Sequence, residues 1–78
     1  MEDLVRYIVE NLVEDKESIE IKTEDGEKSC VLSIYVDKKD IGKVIGRDGK
    51  IARSIRTIVK SASAKLNKKY IVKIGERD

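Results

Sequence analysis

Apolar residues recur at helical spacing along the first stretch of the chain, at Leu4, Val5, Ile8, Val9, Leu12 and Val13. Such a stripe predicts an amphipathic helix, fading at Glu14-Asp15-Lys16. The period then falls to two. Ile19, Ile21 and Thr23 alternate with Glu20, Lys22 and Glu24, as in a strand with one wet face. Asp25-Gly26 is a turn signal, and the run from Cys30 to Val36 predicts a second strand, antiparallel to the first. Asp37 is placed to cap a short helix ending near Val44, and a glycine-bounded turn follows. Ile51, Ile55, Ile58, Val59, Ala62 and Leu66 then form one stripe of a long helix, with Arg53, Arg56 and Lys60 opposite. Asn67-Lys68-Lys69 ends that helix. Tyr70 to Ile74 reads as a third strand before a charged tail at 75–78.

The order helix, strand, strand, helix, helix, strand predicts an α+β fold, a three-stranded sheet with helices packed on one face, because that arrangement buries every stripe. With 78 residues, no proline and no internal repeat, the chain is read as one domain, near the size where a single core only just supports itself. The core has to be aliphatic, since there is no Trp, no Phe and only three Tyr. No apolar run is long enough for a membrane span, and the start M-E-D-L-V-R-Y lacks a basic leader, so a cytoplasmic location is expected. The single Cys30 has no His to activate it and reads as a small buried hydrophobe.

Charge changes the picture through its distribution. Residues 1–27 carry ten acidic and three basic side chains, whereas residues 43–69 carry nine basic and only Asp48. A chain acidic at its start and basic through its second half points to an anionic partner. Catalysis has no candidate residues: there is no His, and no carboxylate pair stands beside a nucleophile. No cluster suits zinc, and no metal or cofactor is expected.

The basic half centres on Ile41 to Ile51, I-G-K-V-I-G-R-D-G-K-I, with glycines at 42, 46 and 49. A dinucleotide fingerprint requires G-x-G-x-x-G after a strand, and a P-loop requires a glycine where Val44 stands and Ser or Thr where Ile51 stands. Both are excluded. Gly46-Arg47-Asp48-Gly49 has two remaining readings, a tight structural turn between helices or an anion site. For the second, the first turn of the long helix offers unpaired N–H groups, and Lys43, Arg47 and Lys50 supply charge. Ile45 before the pair and Ile51 and Ile55 after it tie the loop to the core register. Gly42 reads as a packing residue, and Asp48 as a cap for the long helix.

This combination resembles the Gly-x-x-Gly signature of KH domains. The element order is similar to the type II KH topology, and G-K-V-I-G-R-D-G-K-I-A-R-S-I-R-T-I-V resembles the small stand-alone bacterial KH proteins of the KhpA family. The resemblance implies a single-domain RNA-binding protein whose loop clamps about four nucleotides of single-stranded RNA. It carries nucleic-acid binding to Lys43, Ile45, Gly46, Arg47, Asp48, Gly49, Lys50, Ile51 and Arg53, with Val31, Ser33 and Tyr35 of the second strand as groove candidates. It further implies RNA chaperone or regulatory work tied to cell division, cell shape and cell-wall biogenesis. The implied partners are a second copy of the chain or a larger KH protein of the KhpB (Jag, EloR) type. Two alternatives stay open at this level, a protein-interaction adaptor with a structural glycine turn and a single-stranded DNA binder.

Overall fold

The computed structural model describes residues 1–77. Its elements run α1 (Glu2–Glu10), β1 (Glu20–Asp25), β2 (Ser29–Val36), α2 (Ile41–Ile45), α3 (Lys50–Ala62) and β3 (Lys69–Glu76), with short 3-10 turns at Lys16–Ser18 and Arg47–Gly49. The sheet order is β1-β2-β3. β1 pairs antiparallel with β2 through the Asp25-Gly26 hairpin, where the Gly26 N–H donates to the Ser29 carbonyl. β3 pairs parallel with β2. Parallel pairing needs a crossover, and α2, the glycine loop and α3 supply it. The loop therefore lies at the apex of a helical crossover whose return strand, β3, forms the sheet edge.

Burial in β2 alternates residue by residue. Cys30, Leu32, Ile34 and Val36 enter the core, while Val31, Ser33 and Tyr35 are half-buried on the other face. The core closes with Val5 and Val9 from α1, Val44 from α2, Ile55 and Val59 from α3, and Val72 from β3. The helices thus cover one face of a three-stranded mixed sheet. No helix among the described residues is long and apolar enough to cross a membrane.

Several boundaries differ from the sequence expectation, each for a local reason. α1 stops at Glu10 because the Asn11 side chain donates to the Tyr7 carbonyl, yet Val13 still turns into the core. α3 ends at Ala62 rather than near Asn67. The Ser63 hydroxyl bonds the Lys60 carbonyl, and serine competes for helix backbone groups. The buried side of α3 is Ala52, Ile55, Val59 and Ser63, so Ile58, Ala62 and Leu66, expected in the core stripe, are exposed. Gly75 and Glu76, expected in the tail, complete β3 opposite Tyr35 and Val36, and the Arg77 N–H donates to the Val36 carbonyl. Asp78 lies outside the described residues.

Asp37 does not cap α2; its carboxylate instead accepts from the Lys39 N–H in a local turn. The residue at the start of α2 is Asp40, fully buried at 0% exposure. Its two carboxylate oxygens accept the backbone N–H groups of Glu14 (3.2 Å) and Asp15 (3.1 Å), and the Lys43 ammonium lies 3.5 Å away. Burial alone would raise the Asp40 pKa. The donors at Asp15 and Glu14 and the Lys43 charge outweigh it and hold the carboxyl below its usual range. A depressed folded-state pKa adds stability that is present above the unfolded-state value and lost as pH falls through the folded one. Asp40→Asn should therefore flatten the acid limb of a melting-temperature profile, as pH falls through and below the usual carboxylate range, as well as lowering stability at neutral pH. For the core, Ile34→Ala should cost about 2–5 kcal/mol in urea unfolding, whereas Ile58→Ala should cost less than about 1.

Candidate nucleic-acid interface

The loop gets its shape from two glycines in different left-handed conformations. Gly46 has φ 75° and ψ 174°, a region open almost only to glycine. Gly49, with φ 72° and ψ 17°, is in the left-handed helical region directly before α3. Their surroundings differ as well. A Cβ on Gly46 would lie 2.6 Å from Cγ1 of Ile51, while one on Gly49 would meet nothing within 4 Å. Gly46 thus seals the loop against the base of α3, and Gly49 leaves the backbone there open to solvent.

Asp48 also has positive φ, 57° with ψ 26°, a conformation Asp tolerates better than most residues. It does not cap α3. The N-cap position is Gly49, which has no side chain to cap the helix. The Asp48 carbonyl accepts instead from the Arg53 guanidinium at 3.0 Å, which folds Arg53 back over the loop.

The expected cations divide into two groups. Lys43 is drawn away, its ammonium 2.9 Å from Glu14 and also close to Asp40, and its pKa is raised first by the bond to Glu14. Arg47 and Lys50 are exposed and have no acidic partner among the described residues. Beside the loop lies an open groove of about 350 Å³, lined by Ile45, Asp48, Gly49, Ala52, Arg53, Arg56 and Ile74. Of the expected residues, the structure brings Ile45, Asp48, Gly49 and Arg53 into this groove. Arg47 and Lys50 flank it along the chain, and Ile51 packs under Gly46.

The strand facing the groove is β3, not β2. Val31, Ser33 and Tyr35 lie on the sheet face turned away from the helices, with Tyr35 against Gly75 and the Lys22 ammonium 5.6 Å from its ring centroid. The β2 alternation leaves both registers partly apolar, and only the helix packing decides which one faces the loop. The sequence reading missed Ala52, Ile74 and the full part of Arg56, whose Nε donates to the Val72 carbonyl at 3.3 Å across the groove. The signal that could have found Arg56 is its spacing, one turn beyond Ala52 on the side of α3 that meets the return strand.

Two helices joined by Gly-x-x-Gly, on a sheet whose central and return strands run parallel, define a type II KH domain. A family model described as KhpA/KhpB, KH domain, matches residues 2–74. The chain is 45% identical over 74 residues to the RNA-binding protein KhpA of Clostridium perfringens, covering 95% of this chain and 99% of that protein. It is 39% identical over 72 residues to that of Borreliella burgdorferi (92% and 88%), and 36% identical over 76 residues to that of Aquifex aeolicus (97% and 96%). The chain belongs to the KhpA family of small KH-domain proteins. Among solved structures, a variant of Aquifex aeolicus Era bound to GDP.AlF4- superposes with a TM-score of 0.65 at 19% identity, over 95% of this chain and 29% of the Era chain. That likeness is one of fold.

The two glycines should respond differently to a methyl group. Gly46→Ala combines a forbidden backbone region with the Ile51 clash and should cost about 2–4 kcal/mol. Gly49→Ala, strained only in its backbone, should cost about 1–2 kcal/mol. Urea unfolding followed by circular dichroism separates the two.

Proposed function

We propose that the domain binds single-stranded RNA, with phosphates drawn to the Gly46–Gly49 loop and bases laid in the groove between α2, α3 and β3. The observation that carries this reading is Gly49, left-handed and unobstructed at the N-terminus of α3, with Arg47, Lys50 and Arg53 around it. A structural turn accounts for Gly46, against Ile51, and for the left-handed backbone of Gly49. It does not require the empty space beside Gly49 or a surround of cations without acidic partners. The Lys50 N–H already donates to the Arg47 carbonyl, and the dipole of α3 adds to the attraction for a phosphate at this end of the helix. The aliphatic groove wall of Ile45, Ala52 and Ile74 suits base faces, and Arg56 suits base edges.

Relatives named as RNA-binding proteins over nearly the same length support the reading. A groove for about four nucleotides binds weakly on its own, so a second copy or a larger KH protein of the KhpB type would supply avidity. The exposed Ile58 and Ala62 of α3 offer an apolar surface for that association. Chaperone or regulatory work connected with cell division and the cell wall extends the family resemblance to this chain.

The test uses Gly49, because Gly46→Asp would drive its side chain into Ile51 and confound folding with binding. Gly49→Asn keeps a residue that tolerates the left-handed conformation and adds no charge. Gly49→Asp adds a carboxylate where a phosphate should lie. Fluorescence anisotropy with labelled single-stranded RNA should show Gly49→Asp binding about tenfold or more weaker than Gly49→Asn. For wild type, with three or four phosphates neutralised, the binding constant should fall with salt at a log–log slope of about −2 to −3. Equal affinity for the two variants, or a slope near zero, would leave the structural turn as the function of the loop. The same oligonucleotide as DNA measures the preference for the 2′-hydroxyl.

A further inference from the structure

The groove between α3 and β3 continues past Arg56. Beyond that side chain lies a second, larger hollow of about 820 Å³, whose lining includes Arg56, Lys60, Ser63, Leu66, Tyr70 and Val72. The hollow at the loop uses only Ala52, Arg53 and Arg56 of α3. The helix has 13 residues, about 20 Å at its usual rise, and its second half flanks the larger hollow. Arg56 lines both and, tied to the Val72 carbonyl, marks the passage between them.

Three features of this second hollow suit the same kind of ligand. Lys60, Lys68 and Lys69 line it, and no acidic residue does. Lys68 is paired with Asp25, while Lys60 and Lys69 have no acidic partner among the described residues. The hollow therefore prolongs the basic track of Arg47, Lys50, Arg53 and Arg56. Its apolar floor is the half-buried Tyr70 with the exposed Leu66, surfaces on which a base can stack or pack. Its far wall is the free edge of β3. The Val72 carbonyl faces the groove, as its bond from Arg56 shows, and the two-residue period of a strand turns the main-chain groups of Tyr70 the same way.

We infer that this hollow is an extension site for the RNA strand, seating nucleotides beyond the four or so held near the loop. The inference rests on the reading of the loop as an RNA clamp. A peptide strand could also add to the β3 edge. The lysine rim, on which Asp25 takes up Lys68 and leaves Lys60 and Lys69 free of acidic partners among the described residues, and its continuity with the loop cations through Arg56, favour a polyanion that has already entered at the loop.

The test is an NMR titration of isotope-labelled protein with a four-nucleotide and an eight-nucleotide oligoadenylate. Wild type is compared with Lys60→Glu/Leu66→Ser, and Lys65→Glu serves as a control for charge outside the hollow. All three positions are exposed, and circular dichroism checks the fold. The double variant should keep tetramer affinity within twofold of wild type and lose at least fivefold for the octamer. Lys65→Glu should lose less than twofold for either. Amide shifts at Leu66 to Ile71 should appear with the octamer and not with the tetramer. The same octamer-to-tetramer ratio in wild type and double variant overturns the extension site while leaving the clamp intact. An equal loss in Lys65→Glu also overturns it, reducing the effect to net charge. Saturable binding of a polyglutamate peptide at Leu66 to Ile71, with the ratio unchanged, would assign the hollow to a protein. Failure of wild type to bind either RNA removes the clamp and the extension together.

Discussion

The close approach of Gly46 to Ile51 governs this molecule. At that point the loop backbone crosses the first turn of α3 with no room for a side chain, in a conformation almost closed to other residues. Everything that presents the candidate site follows from the crossing. It fastens the loop to the first turn of α3, directly beside the left-handed Gly49. One glycine is needed for packing and the other for access.

A second constraint holds the crossover from below. Asp40, wholly buried, takes two backbone N–H groups from the segment after α1 and so fastens the acidic N-terminal part of the chain to the start of α2. A buried carboxylate without partners would be costly. Here its burial is compensated by those two donors and by Lys43, which also reaches Glu14. The acidic excess of the first third of the sequence therefore does local structural work at Glu14, and at Asp25, which pairs with Lys68. Lys43, near the loop in sequence, is held on that structural side. The cations left to face an anion are Arg47, Lys50, Arg53 and Arg56.

The order of elements, the hairpin at Asp25-Gly26, the aliphatic core and the glycine loop were legible from periodicity and spacing. Each depends on neighbours within a few residues of one another. Element ends were less legible, because Asn11 and Ser63 stop their helices through side-chain bonds that periodicity does not register. The α3 stripe shows the limit well. Ile58 and Ala62 lie on its apolar side by helical spacing, yet the sheet meets the helix along Ala52, Ile55, Val59 and Ser63. How far a helix rotates against its sheet is set by the shape of both surfaces together.

The sequence by itself determined that a basic, glycine-bounded turn joins two amphipathic helices over an aliphatic sheet, since turn chemistry and hydrophobic period are local properties. Only the tertiary structure decided which strand faces that turn. β2 alternates between two partly apolar faces, and the side that is buried is fixed by where the helices land, so Tyr35 is turned outward and the groove falls to β3. The same packing decided the place of Arg56, which in sequence is one exposed cation among several. In the fold it reaches across to the Val72 carbonyl and joins the groove at the loop to the larger hollow beyond it.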